Sequence, residues 1–316
     1  MSFISLVIPT YRESRNIVPL IEEIQQEMAK TGESFEVLFI DDGSADETWD
    51  ILCECASRQR AVRAIRLSRN FGKESAIAAG LEHSSTEADA VVVMDADLQH
   101  PCSLLPEMIR LWKDEGADVV EAIKTERGDE SLFYRLCSRL FYKIAARLSG
   151  IDLDNVSDFK IMDAKVVRAW RQLGESNLFF RGMSAWVGFK RVRVPFEVRP
   201  RQAGTSGFGL WKLVKLALTG ITAFTSFPLR LVTIAGLLFL FFSLVWGARA
   251  LIMKFRGIVI DGITTVILLL LIIGSMLMLG LGVIGEYIAR IYQEVKLRPR
   301  YVVAETTPSI GEGSGG

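Results

Sequence analysis

Three short runs carry carboxylates at spacings that could do chemistry. Asp95-Ala96-Asp97 follows the apolar run AVVVM at 90–94. Two carboxylates two residues apart at the end of a buried strand repel each other unless a cation lies between them. A hard divalent ion, Mg²⁺ or Mn²⁺, shared with a diphosphate relieves that repulsion. Gln99 and His100 follow closely and could add ligands or outer contacts. The D-x-D spacing taken alone fits an ordinary surface loop equally well. The second run is Asp41-Asp42-Gly43-Ser44. Its glycine permits a tight turn, and a carboxylate there can accept from a base N–H or a ribose hydroxyl. Ser44 and Asp46 are equally good caps for a following helix. The third run is Pro9-Thr10-Tyr11-Arg12-Glu13, where Tyr11 could stack on a base and Glu13 could hydrogen-bond a nucleoside.

The elements around these runs decide whether they can meet. FISLVI (3–8), FEVLFI (35–40), Val62–Leu67 and Ala90–Met94 read as four buried strands. Between them, 15–29, 46–57 and 73–83 follow helical spacing, with Ile17, Leu20, Ile21, Ile24 and Met28 on one stripe. This alternation predicts an α/β domain with a parallel sheet and helices on both faces. Ligands of such sheets bind beyond the carboxyl ends of the strands. All three carboxylate runs fall at strand ends, so the pattern places them on one rim.

The last third of the chain changes character. Leu231–Ala248, bounded by Arg230 and Arg249, and Ile263–Gly285 contain no charged residue. With flanks included, both meet the length of a membrane-spanning helix, about 20 residues. The segment before them, 204–227, mixes Trp211, Leu213, Leu216 and Leu218 with Lys212 and Lys215, which suits the membrane interface. Residues 131–149 read as an amphipathic helix rich in arginine and aromatics. The loop between the spans carries Arg249, Lys254 and Arg256. The outer flanks carry Lys212, Lys215, Arg230, Arg290, Lys296, Arg298 and Arg300. The excess outside the hairpin puts both flanks in the cytosol. The N-terminus enters a strand pattern at once, with no charged leader or cleavage site, so no signal peptide and a cytosolic N-terminal domain are expected. The organisation expected is therefore a catalytic domain at 1–204, an interfacial segment at 205–228, a two-helix hairpin at 229–290 and a cytosolic tail at 291–316. The tail beyond Pro308 is polar and glycine-rich and reads as disordered.

Bulk composition agrees. Half of the 316 residues are hydrophobic, and mean hydropathy is +0.28, high for a soluble protein. Charge balances at 37 basic and 37 acidic residues, so no net field draws nucleic acid. The four cysteines, Cys53, Cys55, Cys102 and Cys137, have no zinc-site spacing and read as free thiols.

Taken together, VIPTYRE (7–13), DDGSADET (41–48), RNFGKESAIAAGL (69–81) and DADLQHP (95–101) resemble the inverting family-2 glycosyltransferases. SDFKIMD (157–163), FFRGMSAWVGF (179–189) and RQAGTSGFG (201–209) are similar to the subgroup that glycosylates polyprenyl phosphates, which includes dolichyl-phosphate mannose synthases. Two C-terminal spans point to its bacterial branch, the bactoprenol glucosyltransferases used in O-antigen modification. The resemblance covers residue 3 to about 300.

It implies a GT-A (Rossmann-like) fold. It also implies transfer of glucose from UDP-glucose to undecaprenyl phosphate with inversion, at the cytosolic leaflet of the bacterial plasma membrane. GDP-mannose is the second donor to consider and an amino-arabinose donor the third. Pro9, Tyr11, Glu13 and Asp42 would hold the nucleoside, and Lys73 would sit near the nucleotide. Asp95, Asp97 and Gln99 would bind Mg²⁺ or Mn²⁺, with Asp97 closest to the diphosphate. Arg135 and Ser138, from YRLCS (134–138), match residues that hold the acceptor phosphate. Arg201 would lie near the diphosphate or acceptor, and Asp158 beside the sugar. Lys160 stands where the family often has arginine; it keeps the charge without the bidentate fork. Homo-oligomers, tetramers among them, are also implied, and Gly274, Gly280, Gly282 and Gly285 would allow close helix packing. A processive polysaccharide synthase would carry a Gln-x-x-Arg-Trp motif and more membrane helices, and neither is present. A non-catalytic membrane scaffold or flippase component would have no need of Asp42, Asp95 and Asp97.

Overall fold

The computed structural model describes residues 1–124, 156–174, 180–197, 227–256 and 262–307. The amphipathic stretch 131–149, most of the interfacial segment and the boundary near 204 lie outside the described residues. The chain divides into two compact units. One holds the N-terminal two-thirds together with residues 298–316; the other holds the long apolar helices.

The first unit is built on an eight-stranded sheet. Its strands are β1 (Phe3–Thr10), β2 (Ser34–Asp41), β3 (Val62–Leu67), β4 (Ala90–Val93), β5 (Val119–Lys124), β6 (Val156–Asp163), β7 (Arg191–Phe196) and β8 (Val303–Thr306). Their spatial order is β7-β5-β6-β4-β1-β2-β3-β8. The parallel sheet expected from the sequence is found in β4-β1-β2-β3. Beyond that block the sheet is mixed. β6 runs antiparallel to both β4 and β5, and β8 runs antiparallel to β3.

Strand parity assigns the core. Ile4, Leu6 and Ile8 of β1 and Val37 and Phe39 of β2 point to one face, against α1 (Ile17–Ala29), α2 (Thr48–Arg58) and α4 (Leu105–Lys113). Val7, Leu38 and Ile40 point to the other, against α3 (Lys73–His83), α5 (Ala164–Arg171) and α6 (Phe180–Trp186). Because both faces are covered, these strands read as unbroken apolar runs. Gly80 lies where α3 crosses β1. A Cβ there would stand 2.1 Å from Val7 Cγ1, so only glycine lets the helix sit this close.

The C-terminal segment assigned to a tail contributes a strand. Glu305 pairs with Arg66, and Thr307 both accepts from the Ala64 N–H at 2.8 Å and donates its own N–H to the Ala64 carbonyl at 2.9 Å. Nothing in its composition announces a strand: VAET is short and half polar.

The second unit contains α7 (Phe227–Phe255) and α8 (Ile263–Val295). Both are long and apolar enough to cross a membrane, with 18-residue windows at Val232–Arg249 and Ile272–Ala289, each of mean hydropathy 1.8. Of the small residues flagged above, Gly280 makes the contact between the two helices: a Cβ there would lie 3.3 Å from Val232 Cγ1.

Candidate functional site

Strand order reverses at β1, with β2 on one side and β4 on the other. A crevice opens at such a switch point, beyond the carboxyl ends of the strands. Here it is a cavity of about 300 Å³ lined by Pro9, Tyr11, Glu13, Asp42, Lys73, Asp95 and Asp97 among others. These seven were singled out from the sequence, and the fold brings them to one place. Gln99 lies in the same turn as Asp97 and does not line the cavity; its N–H donates to Asp97 Oδ1 at 3.1 Å. Arg135, Ser138 and Arg201 lie outside the described residues.

Each wall is fixed by backbone bonding. Asp42 is buried, and its two oxygens accept from the N–H groups of Phe71 at 2.7 Å and Gly72 at 2.8 Å. Burial raises its carboxyl pKa, which the two N–H bonds partly offset. Gly43 takes φ +67°, and a Cβ there would come within 2.5 Å of the Arg69 carbonyl carbon, so the close approach of the 41–44 and 69–72 loops requires glycine. Asp41 turns away from the cavity and caps the loop, accepting from the Ser44 N–H at 3.1 Å. Tyr11 is 40 % exposed, with the Arg12 guanidinium over its ring, Cζ 5.2 Å from the centroid. Glu13 accepts from Asn16 Nδ2 at 2.6 Å.

At the other end of the cavity, charges interlock. Lys73 Nζ lies 2.5 Å from Asp95 Oδ1 and 2.6 Å from Asp158 Oδ2. Burial would lower the Lys73 pKa, but the two carboxylates outweigh it and raise it above the ordinary lysine value. Asp158, on β6, is 4 % exposed and also receives Arg181, with Nε at 2.6 Å from Oδ1 and Nη2 at 3.0 Å from Oδ2. Burial alone would raise its pKa; Arg181 and Lys73 pull it well below the usual carboxylate range. Asp158 is therefore an ionised group held by two cations.

Two members of this cluster escaped the sequence reading. Arg181 stands in FFRGMSAWVGF, where its neighbours are apolar and nothing marks it as a partner of Asp158. Glu74 follows Lys73 and accepts from the Phe180 N–H at 2.7 Å, which fastens the start of α6 to α3. Lys160, flagged as the departure from arginine, is fully buried; it donates to Glu121 Oε1 at 3.2 Å and to Ser184 Oγ at 2.6 Å. Its ammonium therefore braces β5, β6 and α6 from inside and does not line the cavity.

Burial raises the Glu74 pKa from 4.5 to about 6. Its folded value exceeds its unfolded one, so the protonated form stabilises the fold. That contribution is complete below about pH 4.5 and lost as pH rises through 6. From pH 4.5 to 7 the wild type should lose about 2 kcal/mol more stability than Glu74→Gln in thermal melts. Parallel curves for the two proteins would remove Glu74 as the titrating group.

Among the described residues, no three His, Cys, Asp or Glu side chains converge as a metal cage. Asp95 and Asp97 do line one wall together. Two carboxylates plus phosphate oxygens and water are the ligands a hard dication such as Mg²⁺ takes beside a nucleotide. The residues present fit such a shared ion.

A mixed sheet with paired carboxylates at its switch point is the GT-A fold, the fold of nucleotide-sugar glycosyltransferases. The chain belongs to glycosyl transferase family 2, whose profile matches residues 5–170; the GtrB C-terminal hairpin profile matches residues 227–291. It is 39 % identical over 304 residues to the uncharacterized glycosyltransferase YkcC of Bacillus subtilis, covering 96 % of this chain and 93 % of that protein. Identity is 37 % to an uncharacterized glycosyltransferase of Synechocystis, sll0501, covering 96 % and 95 %. It is 38 % to the SfII prophage-derived bactoprenol glucosyl transferase of Shigella flexneri, covering 96 % and 98 %.

Proposed function

We propose that this protein transfers glucose from UDP-glucose to undecaprenyl phosphate, with inversion, at the cytosolic face of the bacterial plasma membrane. The observation that carries the reading is the gathering of Pro9, Tyr11, Glu13, Asp42, Lys73, Asp95 and Asp97 around one cavity. The hairpin shared with bactoprenol glucosyl transferases supports a lipid acceptor. A polyprenyl chain leaves the bilayer only at a cost of about 0.8 kcal/mol per CH₂, so the enzyme must be held where the phosphate is.

The acceptor phosphate has a second pKa near 6 and is largely a dianion at neutral pH. It needs no base. Its oxygen attacks the anomeric carbon, the new C–O bond forms as the bond to the diphosphate breaks, and UDP leaves with the electron pair. What the protein supplies is alignment and charge. In this reading Tyr11, Glu13 and Asp42 hold the nucleoside, and Lys73 faces the diphosphate. Arg135, Ser138 and Arg201 receive the acceptor phosphate. Asp158 sets the charge beside the sugar. Asp95 and Asp97, with Gln99 beside them, hold Mg²⁺ or Mn²⁺, which when bound offsets the charge of the departing diphosphate. The active assembly in this reading is a homo-oligomer.

The test is transfer from radiolabelled UDP-glucose to undecaprenyl phosphate, with each metal and after chelation. The expected result is metal-dependent glucolipid. Product from GDP-mannose alone would replace the sugar and keep the chemistry. Failure with every donor would overturn the enzymatic reading in favour of a scaffold.

A further inference from the structure

We infer that Arg66 on β3 and Glu305 on β8 position the loops at the Tyr11–Asp42 end of the cavity, so that the last strand of the chain sets nucleotide affinity; this rests on reading the cavity as the donor site. Neither residue lines the cavity. Glu305 accepts from Arg66 Nη1 at 3.1 Å through one oxygen and from Trp49 Nε1 at 3.2 Å through the other. Arg66 lies over the Trp49 ring, its Cζ 5.8 Å from the centroid. Its Nη2 donates to the Ser44 carbonyl at 3.1 Å, and its Nε stands 3.5 Å from the Asp41 carboxylate. One planar guanidinium thus reaches the strand, the helix and both ends of the 41–44 turn, which a compact ammonium could not.

The turn passes this restraint on. Ser44 Oγ accepts the Arg12 N–H at 2.9 Å. Arg12 has φ 59°, a left-handed conformation that a non-glycine residue holds only where neighbours enforce it. Tyr11 and Glu13 flank Arg12, and Asp42 sits inside the turn; all three line the cavity. β8 itself is held in register by the Thr307–Ala64 bonds, which places Glu305 opposite Arg66. Glu305 is 54 % exposed at its side chain, so the ion pair contributes little by itself. The weight falls on Arg66, and Glu305 orients it.

The experiment is calorimetric titration of the purified full-length protein with UDP and GDP, alongside steady-state kinetics and thermal melts. Arg66→Met should raise the nucleotide Kd about tenfold, the loss of roughly one charge-assisted hydrogen bond. Glu305→Gln should raise it about threefold, as a half-exposed pair allows. Arg66→Lys should fall between wild type and Arg66→Met. In all three, kcat at saturating donor and KM for the lipid acceptor should stay at wild-type values, a split that a merely structural role would not produce. Folded variants with wild-type nucleotide Kd, or with kcat lowered and Kd unchanged, would overturn the inference. Should the wild type bind neither nucleotide, the donor-site reading falls, and this inference with it.

Discussion

Asp158→Asn should lower kcat about a thousandfold, with nucleotide affinity changed far less. The carboxylate is buried, and three charge-assisted bonds from Arg181 and Lys73 occupy its oxygens. A group so engaged, and held ionised far below neutral pH, makes a poor proton acceptor. A dianionic acceptor does not need one. Its negative charge fixes two cations, and in the proposed reaction it would offset the positive charge that develops at the anomeric carbon as the diphosphate departs. Asparagine keeps the shape and removes that charge, leaving Arg181 and Lys73 without their shared counter-ion. The pH behaviour separates this group from Glu74. A depressed pKa means that ionised Asp158 stabilises the fold above its unfolded value near 4, and the contribution is lost only as pH falls below that. Single-turnover transfer with Asp158→Asn, set beside UDP titration, gives the answer. A variant within about tenfold of the wild-type rate would remove charge at this position from the mechanism.

Much of the first unit was legible because local signals and tertiary structure agree there. The run FISLVI is buried on both faces of the sheet and the stripe Ile17–Met28 packs against one of them, so apolar pattern and observed element coincide. The three carboxylate runs could be placed on one rim because a β/α alternation leaves its loops there. The order of the strands could not be read. Whether β6 joins β4 antiparallel depends on pairing residues as far apart as Ala90 and Asp163, and VSDFKIMD carries no direction. Arg181 and Glu74 stayed hidden for a related reason. Their partners, the Asp158 carboxylate and the Phe180 N–H, come from other elements, and a charged residue reads the same in sequence whether it faces solvent or a buried partner. β8 was hidden because an edge strand of four residues needs only backbone bonds and one ion pair, neither of which leaves an apolar pattern.

Asp97→Asn should lower turnover a hundredfold or more, about 3 kcal/mol or greater, and abolish Mn²⁺ binding in the presence of UDP. The turn that carries it is tied down by hydrogen bonds and ring packing. His100 is buried, stacked on Phe159 at 5.2 Å between ring centroids, and its Nδ1 meets the Asp95 N–H at 3.1 Å. Leu98 takes φ 59°, which swings the Gln99 N–H back onto Asp97. The substitution should therefore leave the turn in place, since an amide oxygen can accept the same bond. What it removes is charge. Asp95 already shares its charge with Lys73 at 2.5 Å, so a dication held here would depend on the second carboxylate, Asp97. Electron paramagnetic resonance of Mn²⁺ with UDP and the full-length protein reads the site without turnover. Loss of the bound signal in Asp97→Asn, with the thermal melt unchanged, would assign the ion to this turn. An unaltered signal would place it elsewhere and leave Asp97 to act on the nucleotide directly.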